Sequence, residues 1–220
     1  MAKRIGVLLA GCGVNDGSEI HEATLALLAL DEAGAEAICM APDVVQPDVI
    51  DHVTGKPLGE RRNALVEAAR IARGKIRNIA SVSAKDLDGL VVPGGYGAAK
   101  ILCDFAARGE NAKPHPEVER LVRELHAASK PMAFFCIAPA LAAAIFHSME
   151  IQATLTIGND EATAAKLKTM GMKHESQPVE GVCVDRRNRI VSTPCYMLAR
   201  GIREVRIGAE RAVRALLEMA

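Results

Sequence analysis

A short apolar strand in this sequence runs directly into a cysteine and then into a helix. Residues 131–135 are mostly apolar, Cys136 follows them, and residues 138–146 are rich in Ala, Leu and Ile, which favour helix. Pro139 suits the first turn of this helix, because its missing N–H would have no intrahelical partner there. A strand that turns into a helix through one residue is a nucleophile elbow. At such a turn the positive end of the helix dipole should lower the pKa of the Cys136 thiol.

Apolar strands alternate with helices along the rest of the chain. Half of the residues are hydrophobic but only 3% are aromatic, a composition that suits helices packed on a buried parallel sheet. The expected strands are residues 5–10, 35–41, 87–92, 131–135 and 153–157, with a hairpin of 182–185 and 189–192. The expected helices are residues 18–33, 60–73, 98–107, 116–128, 138–146, 160–170 and about 195–219. The pattern predicts a doubly wound α/β fold with ligands at the carboxyl ends of its strands.

Length and charge narrow the classes of function. The 220 residues can bury one large core and no linker divides them, so we expect a single domain over residues 1–220. Lys plus Arg and Asp plus Glu both number 27, a balance that does not favour nucleic acid or a membrane surface as a partner. The apolar run 5–10 is shorter than an export signal, and no stretch approaches the ~20 apolar residues of a membrane span.

The cysteines and glycines indicate neither a metal nor a cofactor. The six cysteines form no CxxC or Cys/His pattern, so we expect reduced thiols in a cytoplasmic protein and no metal site. The glycines of residues 11–17 are spaced GxGxxxG rather than the GxGxxG of a dinucleotide loop, so we expect no cofactor. Residues 42–88 are less regular, and we expect an insertion over the mouth of the site or at a subunit contact.

Three loops should meet at the carboxyl edge of the sheet. They are residues 11–22, residues 93–97 and the turn at Cys136. A thiolate that attacks a carbonyl needs N–H donors for the oxyanion, and the backbone N–H groups of Gly95 and Ile137 are the expected pair. Gly94 and Gly95 would let the backbone approach a ligand closely.

Two glutamates at the start of the first helix are the candidate acid and base. A carboxyl group half buried beside the sulfur would have a raised pKa, so Glu19 or Glu22 could share a proton with Cys136. An alternative for Glu19 is a capping box in which Asp16 is the N-cap. An alternative for Glu22 is an ordinary exposed position on the helix.

Four motifs together resemble a known family. The motifs are GCGVNDGSEIHE at 11–22, VVPGGYGAAK at 91–100, FCIAPA at 135–140 and STPCYML at 192–198. The combination is similar to the ElbB-type isoprenoid-biosynthesis family, also called enhancing lycopene biosynthesis protein 2, a branch of the PfpI and class I glutamine amidotransferase-like superfamily. The resemblance implies a flavodoxin-like three-layer α/β/α sandwich with mostly parallel strands, usually a homodimer. It also implies a weak, cofactor-independent glyoxalase with Cys136 as the reactive residue, which converts glyoxal to glycolate.

The sequence departs from the wider superfamily after the cysteine. Many PfpI-type members carry His directly after the nucleophile, and amidotransferases carry a downstream His-x-Glu. Here Ile137 and Ala138 follow Cys136, and no His-x-Glu occurs downstream of it. A glutaminase or protease triad is therefore not expected. Superfamily members also keep a glutamate that bonds the cysteine; the distance to the helix end at Gly34 favours Glu22 for this role, whereas the Ser-Glu-Ile context favours Glu19.

We therefore expect an enzyme that acts on a small aldehyde, with no nucleic acid or membrane partner. In the hypothesis, Cys136 adds to an aldehyde carbon of glyoxal, and Glu22 or Glu19 moves a proton between the two carbons before water releases glycolate. The alternative from another class is a redox sensor or binding protein in which Cys136 is oxidised to sulfinic acid. A third possibility is an amidotransferase-like subunit, which the missing histidine disfavours. Cys12 is a candidate resolving thiol near the mouth.

Overall fold

A seven-stranded sheet forms the centre of the computed structural model, which describes residues 2–220. The strands are β1 (Arg4–Leu8), β2 (Glu36–Ala41), β3 (Arg77–Asn78), β4 (Gly89–Val92), β5 (Met132–Phe135), β6 (Thr154–Leu155), β7 (Lys173–His174), β8 (Cys183–Asp185) and β9 (Ile190–Thr193). The main sheet has the order β3-β2-β1-β4-β5-β9-β8, and β6 and β7 form a separate parallel pair. Every neighbouring pair in the main sheet is parallel except the hairpin β8–β9.

Helices cover both faces of this sheet. They are α1 (Ile20–Glu32), α2 (Ala64–Ile71), α3 (Tyr96–Lys100), α4 (Phe105–Arg108), α5 (Pro116–Ala127), α6 (Pro139–Ser148), α7 (Glu161–Thr169) and α8 (Ile202–Leu217). Successive residues of a strand point to opposite faces. Accordingly, Leu90 and Phe134 join a core with α5 and α6, while Val91 and Phe135 join a second core with α1 and α8. The chain is a three-layer α/β/α sandwich with a mostly parallel sheet, which confirms the predicted fold class.

The sheet order brings three strand ends together. β1 lies beside β4, and β4 lies beside β5, all parallel, so the loops that follow them leave from the same edge. The backbone N–H of Glu19 donates to the carbonyl of Gly94 (3.0 Å), which ties the first loop to the second. The predicted convergence of these loops is therefore present.

Several predicted elements are shorter than expected. The predicted helix 98–107 is split into α3 and α4, because the chain bends back between them and the N–H of His115 bonds the carbonyl of Leu102 (2.8 Å). The last helix begins at Ile202 rather than near Cys195, because residues 195–197 form a separate 3₁₀ turn and the extended residue Gly201 precedes the helix. None of the helices described between residues 2 and 220 combines the length and apolarity needed to cross a membrane.

The segment 42–88 packs against the first loop. The N–H of Asn15 donates to Nε2 of His52 (3.2 Å), and Oδ2 of Asp16 accepts from the N–H of Ile50 (2.7 Å). The segment contains α2 and β3, and it contributes no residue to the lining of the cavity described below. The expectation that it covers the mouth of the site is therefore wrong; a role at a subunit contact remains a prediction.

Candidate active site

Cys136 lies at a strained turn between β5 and α6. Its φ of 56° falls in the left-handed region, which residues other than glycine seldom adopt and which is concentrated at functional sites. The N–H of Cys136 donates to the carbonyl of Thr193 (2.9 Å), extending the β5–β9 pairing by one residue and fixing the turn. The predicted elbow is present, and its cysteine is held by the sheet rather than by a mobile loop.

Glu22 is the glutamate that meets the cysteine. Its side chain is fully buried, with Oε2 accepting from the N–H of Gly94 (2.8 Å) and Oε1 from the N–H of Tyr196 (3.1 Å). The thiol of Cys136 is its third hydrogen-bond partner. Burial raises the pKa of Glu22 to about 7, since a charged carboxylate loses its hydration there. The alternative of an exposed helix position is therefore wrong for Glu22.

The thiol itself is not acidified in the resting site. Burial raises the pKa of Cys136 well above its ordinary value, and the charge of Glu22 raises it further. Hydrogen bonds from the backbone N–H groups of Gly95 and Ile137 act in the opposite direction but do not overcome the burial. The expected lowering of this pKa is therefore wrong in direction. In the resting site the Cys136 thiol donates a hydrogen bond to the Glu22 carboxylate. Protonation of Glu22 would remove the negative charge that raises the pKa of the thiol.

The two glycines after β4 lie so close to the site residues that a side chain on either glycine would collide with them. A Cβ on Gly94 would lie 2.5 Å from Cβ of Cys136 and 2.7 Å from Oε2 of Glu22. Gly95 has a φ of 89°, and a Cβ there would lie 2.4 Å from the backbone nitrogen of Glu19. The close approach predicted for these glycines is present, and it is what lets the thiol and the carboxyl group meet.

Glu19 occupies a different position from Glu22. It is the N-cap of α1, where its Oε2 accepts from the N–H of Glu22 (2.7 Å), and its side chain also lines the cavity in front of Cys136. The capping box with Asp16 as N-cap is therefore not formed. The structure brings all six predicted site residues together, with Glu22 bonded to the thiol and Glu19 facing the cavity.

The cavity beside the thiol has a volume of about 380 Å³. Besides Cys136, Glu19, Gly95 and Ile137, its walls include Val14, Tyr96, Phe105, Asp160, Tyr196 and Met197. Tyr196 was not among the predicted site residues; its hydroxyl lies 2.7 Å from Nδ1 of His21. The only sequence signal for Tyr196 was its place in the STPCYML motif, since 60 residues separate it from Cys136 in the chain.

The remaining candidates lie away from the thiol. Cys12 is half-buried beside Glu67 and Arg70, and it does not line the cavity, so it is poorly placed to be the resolving thiol. His115 lies at the start of α5, where its ring caps the helix by accepting from the N–H of Glu117. In the described part of the chain, no group of three or more His, Cys, Asp or Glu residues is arranged to hold a metal ion.

Replacing Glu22 by Gln should change how stability depends on pH. A carboxyl group with a raised folded-state pKa contributes stability below its unfolded pKa, and this contribution is lost as pH rises through the folded pKa. For Glu22 the window runs from 4.5 to about 7, and the loss over it should be about 2–3 kcal/mol of unfolding free energy. The Gln side chain stays neutral, so we expect the unfolding free energy of the variant not to fall over this pH range. Urea unfolding midpoints at several pH values measure the difference between the two proteins.

Glu32→Gln is the matched control, because Glu32 is exposed on the same helix. It should keep the pH dependence of the unsubstituted protein. Identical pH profiles for Glu22→Gln and the unsubstituted protein would show that the pKa of Glu22 is not raised in the folded state.

Comparison with known proteins finds relatives that align with nearly the whole chain. No protein-family model matches it. It is 43% identical over 228 aligned positions to the human glutamine amidotransferase-like class 1 domain-containing protein 3, covering 99% of this chain and 84% of the relative. It is 31% identical to the ES1 protein of Danio rerio over 208 positions, covering 88% of this chain and 76% of that protein.

Solved structures agree with this placement. The chain matches the crystal structure of an isoprenoid biosynthesis protein with an amidotransferase-like domain from Ehrlichia chaffeensis at a TM-score of 0.91 and 36% identity, over 99% of this chain and 100% of that one. Drosophila melanogaster DJ-1beta matches at a TM-score of 0.59 and 18% identity, over 100% of this chain and 96% of that chain, a likeness of fold alone.

The comparisons also correct one expectation. The human relative and the Danio rerio relative are both named as mitochondrial proteins, so the expected cytoplasmic location is contradicted. The reduced, unpaired cysteines on which that expectation rested do not distinguish the two compartments. Identity above 40% over nearly the whole length is decisive for the family: the chain belongs to the family of glutamine amidotransferase-like class 1 domain proteins that includes the ES1 proteins.

Proposed function

We propose that this protein is a cofactor-independent glyoxalase that converts glyoxal to glycolate through Cys136. The observation that carries the proposal is the arrangement at the sulfur: the Glu22 carboxyl group and the N–H groups of Gly95 and Ile137 all hydrogen-bond to it. Such an arrangement supports addition of sulfur to a carbonyl, because it offers an acceptor for the thiol proton and donors for the developing oxyanion.

The first step forms a covalent adduct. Glu22 takes the thiol proton, and Sγ of Cys136 bonds the aldehyde carbon C1 of glyoxal to give a hemithioacetal. A pKa near 7 suits Glu22 for this exchange, since the carboxyl group can both accept and return a proton at neutral pH. The oxyanion on C1 would be bound by the N–H groups of Gly95 and Ile137.

The second step is an internal oxidation and reduction. The hydrogen on C1 leaves as a proton and a proton is added at C2, so C1 becomes a thioester and C2 becomes a hydroxymethyl group. We assign this transfer to Glu19, because its side chain lines the cavity whereas that of Glu22 is fully buried. Water then hydrolyses the thioester and releases glycolate with the thiol restored. Glyoxal plus water gives glycolic acid, so no external oxidant or reductant enters.

The proposal also covers the subfamily of the chain, its pathway, its oligomeric state and its domain organisation. The ElbB-type identity of the chain rests on its four motifs and on the similarity to the Ehrlichia chaffeensis protein, which is described as an isoprenoid biosynthesis protein. A link of this chain to isoprenoid biosynthesis is proposed on that basis. A homodimer is proposed from the family resemblance. Residues 1–220 are proposed to form a single domain.

The test is glycolate formation from glyoxal by the purified, reduced protein. We expect turnover above the buffer rate, and we expect the Cys12→Ser variant to match the unsubstituted protein, because Cys12 lies outside the cavity. Absence of turnover would contradict the proposal. If Cys136 nevertheless reacted faster with iodoacetamide than the other thiols, a redox or binding role would become the better explanation; ammonia release from glutamine would instead indicate an amidotransferase.

A further inference from the structure

The second carbonyl oxygen of glyoxal, O2, needs a proton donor during the reaction. When the hydrogen on C1 leaves as a proton, its electron pair enters the bond between the two carbons, and negative charge develops on O2. The N–H groups of Gly95 and Ile137 hydrogen-bond to the sulfur and are assigned to the oxygen on C1. The side chain of Ile137 is apolar and carries no donor. The donor for O2 must therefore come from another part of the wall.

Three of the residues that line the cavity carry a hydroxyl group: Tyr96, Thr163 and Tyr196. Tyr96 is 52% exposed, and Nζ of Lys100 lies 5.1 Å from the centroid of its ring. Thr163 belongs to α7. Among the three, Tyr196 is the residue bonded to the carboxyl group that holds the thiol, since its N–H donates to Oε1 of Glu22 (3.1 Å). Tyr196 is therefore the best placed of the three hydroxyl residues.

The position of Tyr196 is set by a strained residue before it. Cys195 is fully buried and has a φ of 43°, in the left-handed region that residues other than glycine seldom adopt. It begins the 3₁₀ turn of residues 195–197, which contains Tyr196. Backbone strain of this kind persists only where the surrounding structure imposes it, and it clusters at functional sites. The core of the protein therefore fixes the place of Tyr196 at the cavity.

The hydroxyl group of Tyr196 has a partner that can carry a proton. The hydroxyl oxygen lies 2.7 Å from Nδ1 of His21, and the centroids of the two rings are 5.8 Å apart. An imidazole with a proton on Nδ1 donates to the phenol oxygen, which leaves the phenol O–H free to donate to a ligand. His21 is exposed, so it can regain a proton from water.

The surroundings of Tyr196 keep its hydroxyl group protonated. Burial raises the pKa of Tyr196, and the charges of Glu19 and Glu22 raise it further. At neutral pH the group is therefore a phenol with a proton to donate. Negative charge that develops on O2 would be stabilised by such a donor, because the site is partly closed to water.

We propose that Tyr196 is a catalytic residue that protonates O2 of the substrate, and that His21 is a positioning residue that orients the phenol and replaces its proton. This inference rests on the proposed function and adds the acid that acts at the second carbon. As Glu19 takes the proton from C1, the phenol O–H bond breaks and its proton passes to O2. Nδ1 of His21 returns a proton to the phenolate, and water returns one to His21.

The protons of the whole reaction then balance. Glu19 delivers the proton taken from C1 to C2, and the electron pair of the carbon–carbon double bond forms the new C–H bond while C1 regains its carbonyl group. The hydroxide left from the water that served His21 attacks the thioester. The sulfur leaves as a thiolate and regains its proton from Glu22. Glyoxal and one water give glycolic acid, and no other reactant enters.

Tyr196→Phe is expected to lower kcat for glyoxal by about 10²-fold, because the donor for O2 is lost. Phe keeps the ring and the backbone N–H that bonds Glu22, so the rate at which iodoacetamide alkylates Cys136 should change by no more than about twofold. Tyr96→Phe makes the same chemical change elsewhere on the wall and should lower kcat by less than about threefold. Equal losses in both variants, or an unchanged kcat in Tyr196→Phe, would overturn the inference while turnover by the unsubstituted protein upheld the proposed function.

A double-mutant cycle tests whether His21 acts through Tyr196. His21→Gln can still hydrogen-bond to the phenol but cannot supply a proton to it, so kcat should fall by about tenfold. In the Tyr196→Phe background the same change should alter kcat by less than about twofold, since the hydroxyl group that His21 serves is absent. A structural role for His21 would lower kcat by the same factor in both backgrounds, and that result would overturn the assignment of His21.

A measurement that does not depend on turnover separates this inference from the proposed function. Glyoxal that adds to Cys136 blocks alkylation by iodoacetamide, so the glyoxal concentration for half protection reports formation of the adduct. A donor at O2 stabilises the adduct, so Tyr196→Phe should raise this concentration by about three- to tenfold, and Tyr96→Phe by less than about twofold. This result would support the role of Tyr196 even if no glycolate formed. If no glycolate formed, then equal half-protecting concentrations in Tyr196→Phe and the unsubstituted protein, or no protection at all, would overturn the inference.

Discussion

Replacing Cys136 by Ser is expected to lower kcat/KM for glyoxal by at least about a thousandfold. Losses of this size follow when a covalent nucleophile is removed, because the remaining site can bind the substrate but cannot form the adduct. A serine hydroxyl is far less acidic than a thiol, and Glu22, with a pKa of about 7, is too weak a base to ionise it. The measurement is glycolate formation under steady-state conditions.

The fold of this variant should be intact. Serine is slightly smaller than cysteine and can donate to Glu22 in the same way, so the thermal midpoint should stay close to that of the unsubstituted protein. Cys136→Ala serves as a second variant that removes the hydrogen bond as well. Retention of more than about a tenth of the activity in either variant would contradict the proposed covalent mechanism.

Replacing Glu19 by Gln is expected to lower kcat for glyoxal by about 10²–10⁴-fold. This is the range for loss of a positioned acid or base, and Glu19 is the carboxylate that faces the cavity. Gln retains an oxygen that can accept from the N–H of Glu22, so the cap of α1 should survive. The rate at which iodoacetamide alkylates Cys136 should change by no more than about twofold, because Glu22 still serves the thiol.

The two measurements together distinguish a catalytic role from a structural one. A structural role for Glu19 would lower turnover and alkylation in parallel, whereas the proposed role lowers turnover alone. Glu32→Gln, on the exposed face of the same helix, should match the unsubstituted protein in both. An unchanged kcat in Glu19→Gln would transfer the proton step to Glu22 or to water.

The sequence by itself was sufficient for the elbow and for the loops around it. Apolar runs of strand length, helical periodicity and punctuation by Pro and Gly are local signals, and each is read within about a dozen residues. They placed Cys136 between a strand and a helix, and they placed Gly94 and Gly95 at a strand end. The loops that follow parallel strands leave from the same edge of the sheet, so the meeting of these loops was also predictable.

Element ends were predicted less well, because they depend on contacts from elsewhere. The break between α3 and α4 is set by the return of the chain at His115, which bonds the carbonyl of Leu102. The late start of α8 follows the 3₁₀ turn at residues 195–197, where Cys195 has a φ of 43°. Neither contact can be read from helix propensity, which described both regions as continuous helix.

Only the tertiary structure decided which glutamate meets the thiol and what happens to its proton. Glu22 is held by the N–H groups of Gly94 and Tyr196, which lie 72 and 174 residues away along the chain. The pKa of Cys136 depends on how completely these packed segments exclude water, and that desolvation outweighs the local effect of the helix start on which the sequence argument relied. Sequence motifs identify groups that can react, whereas burial sets the charge they carry, because hydration is lost only when distant segments pack together.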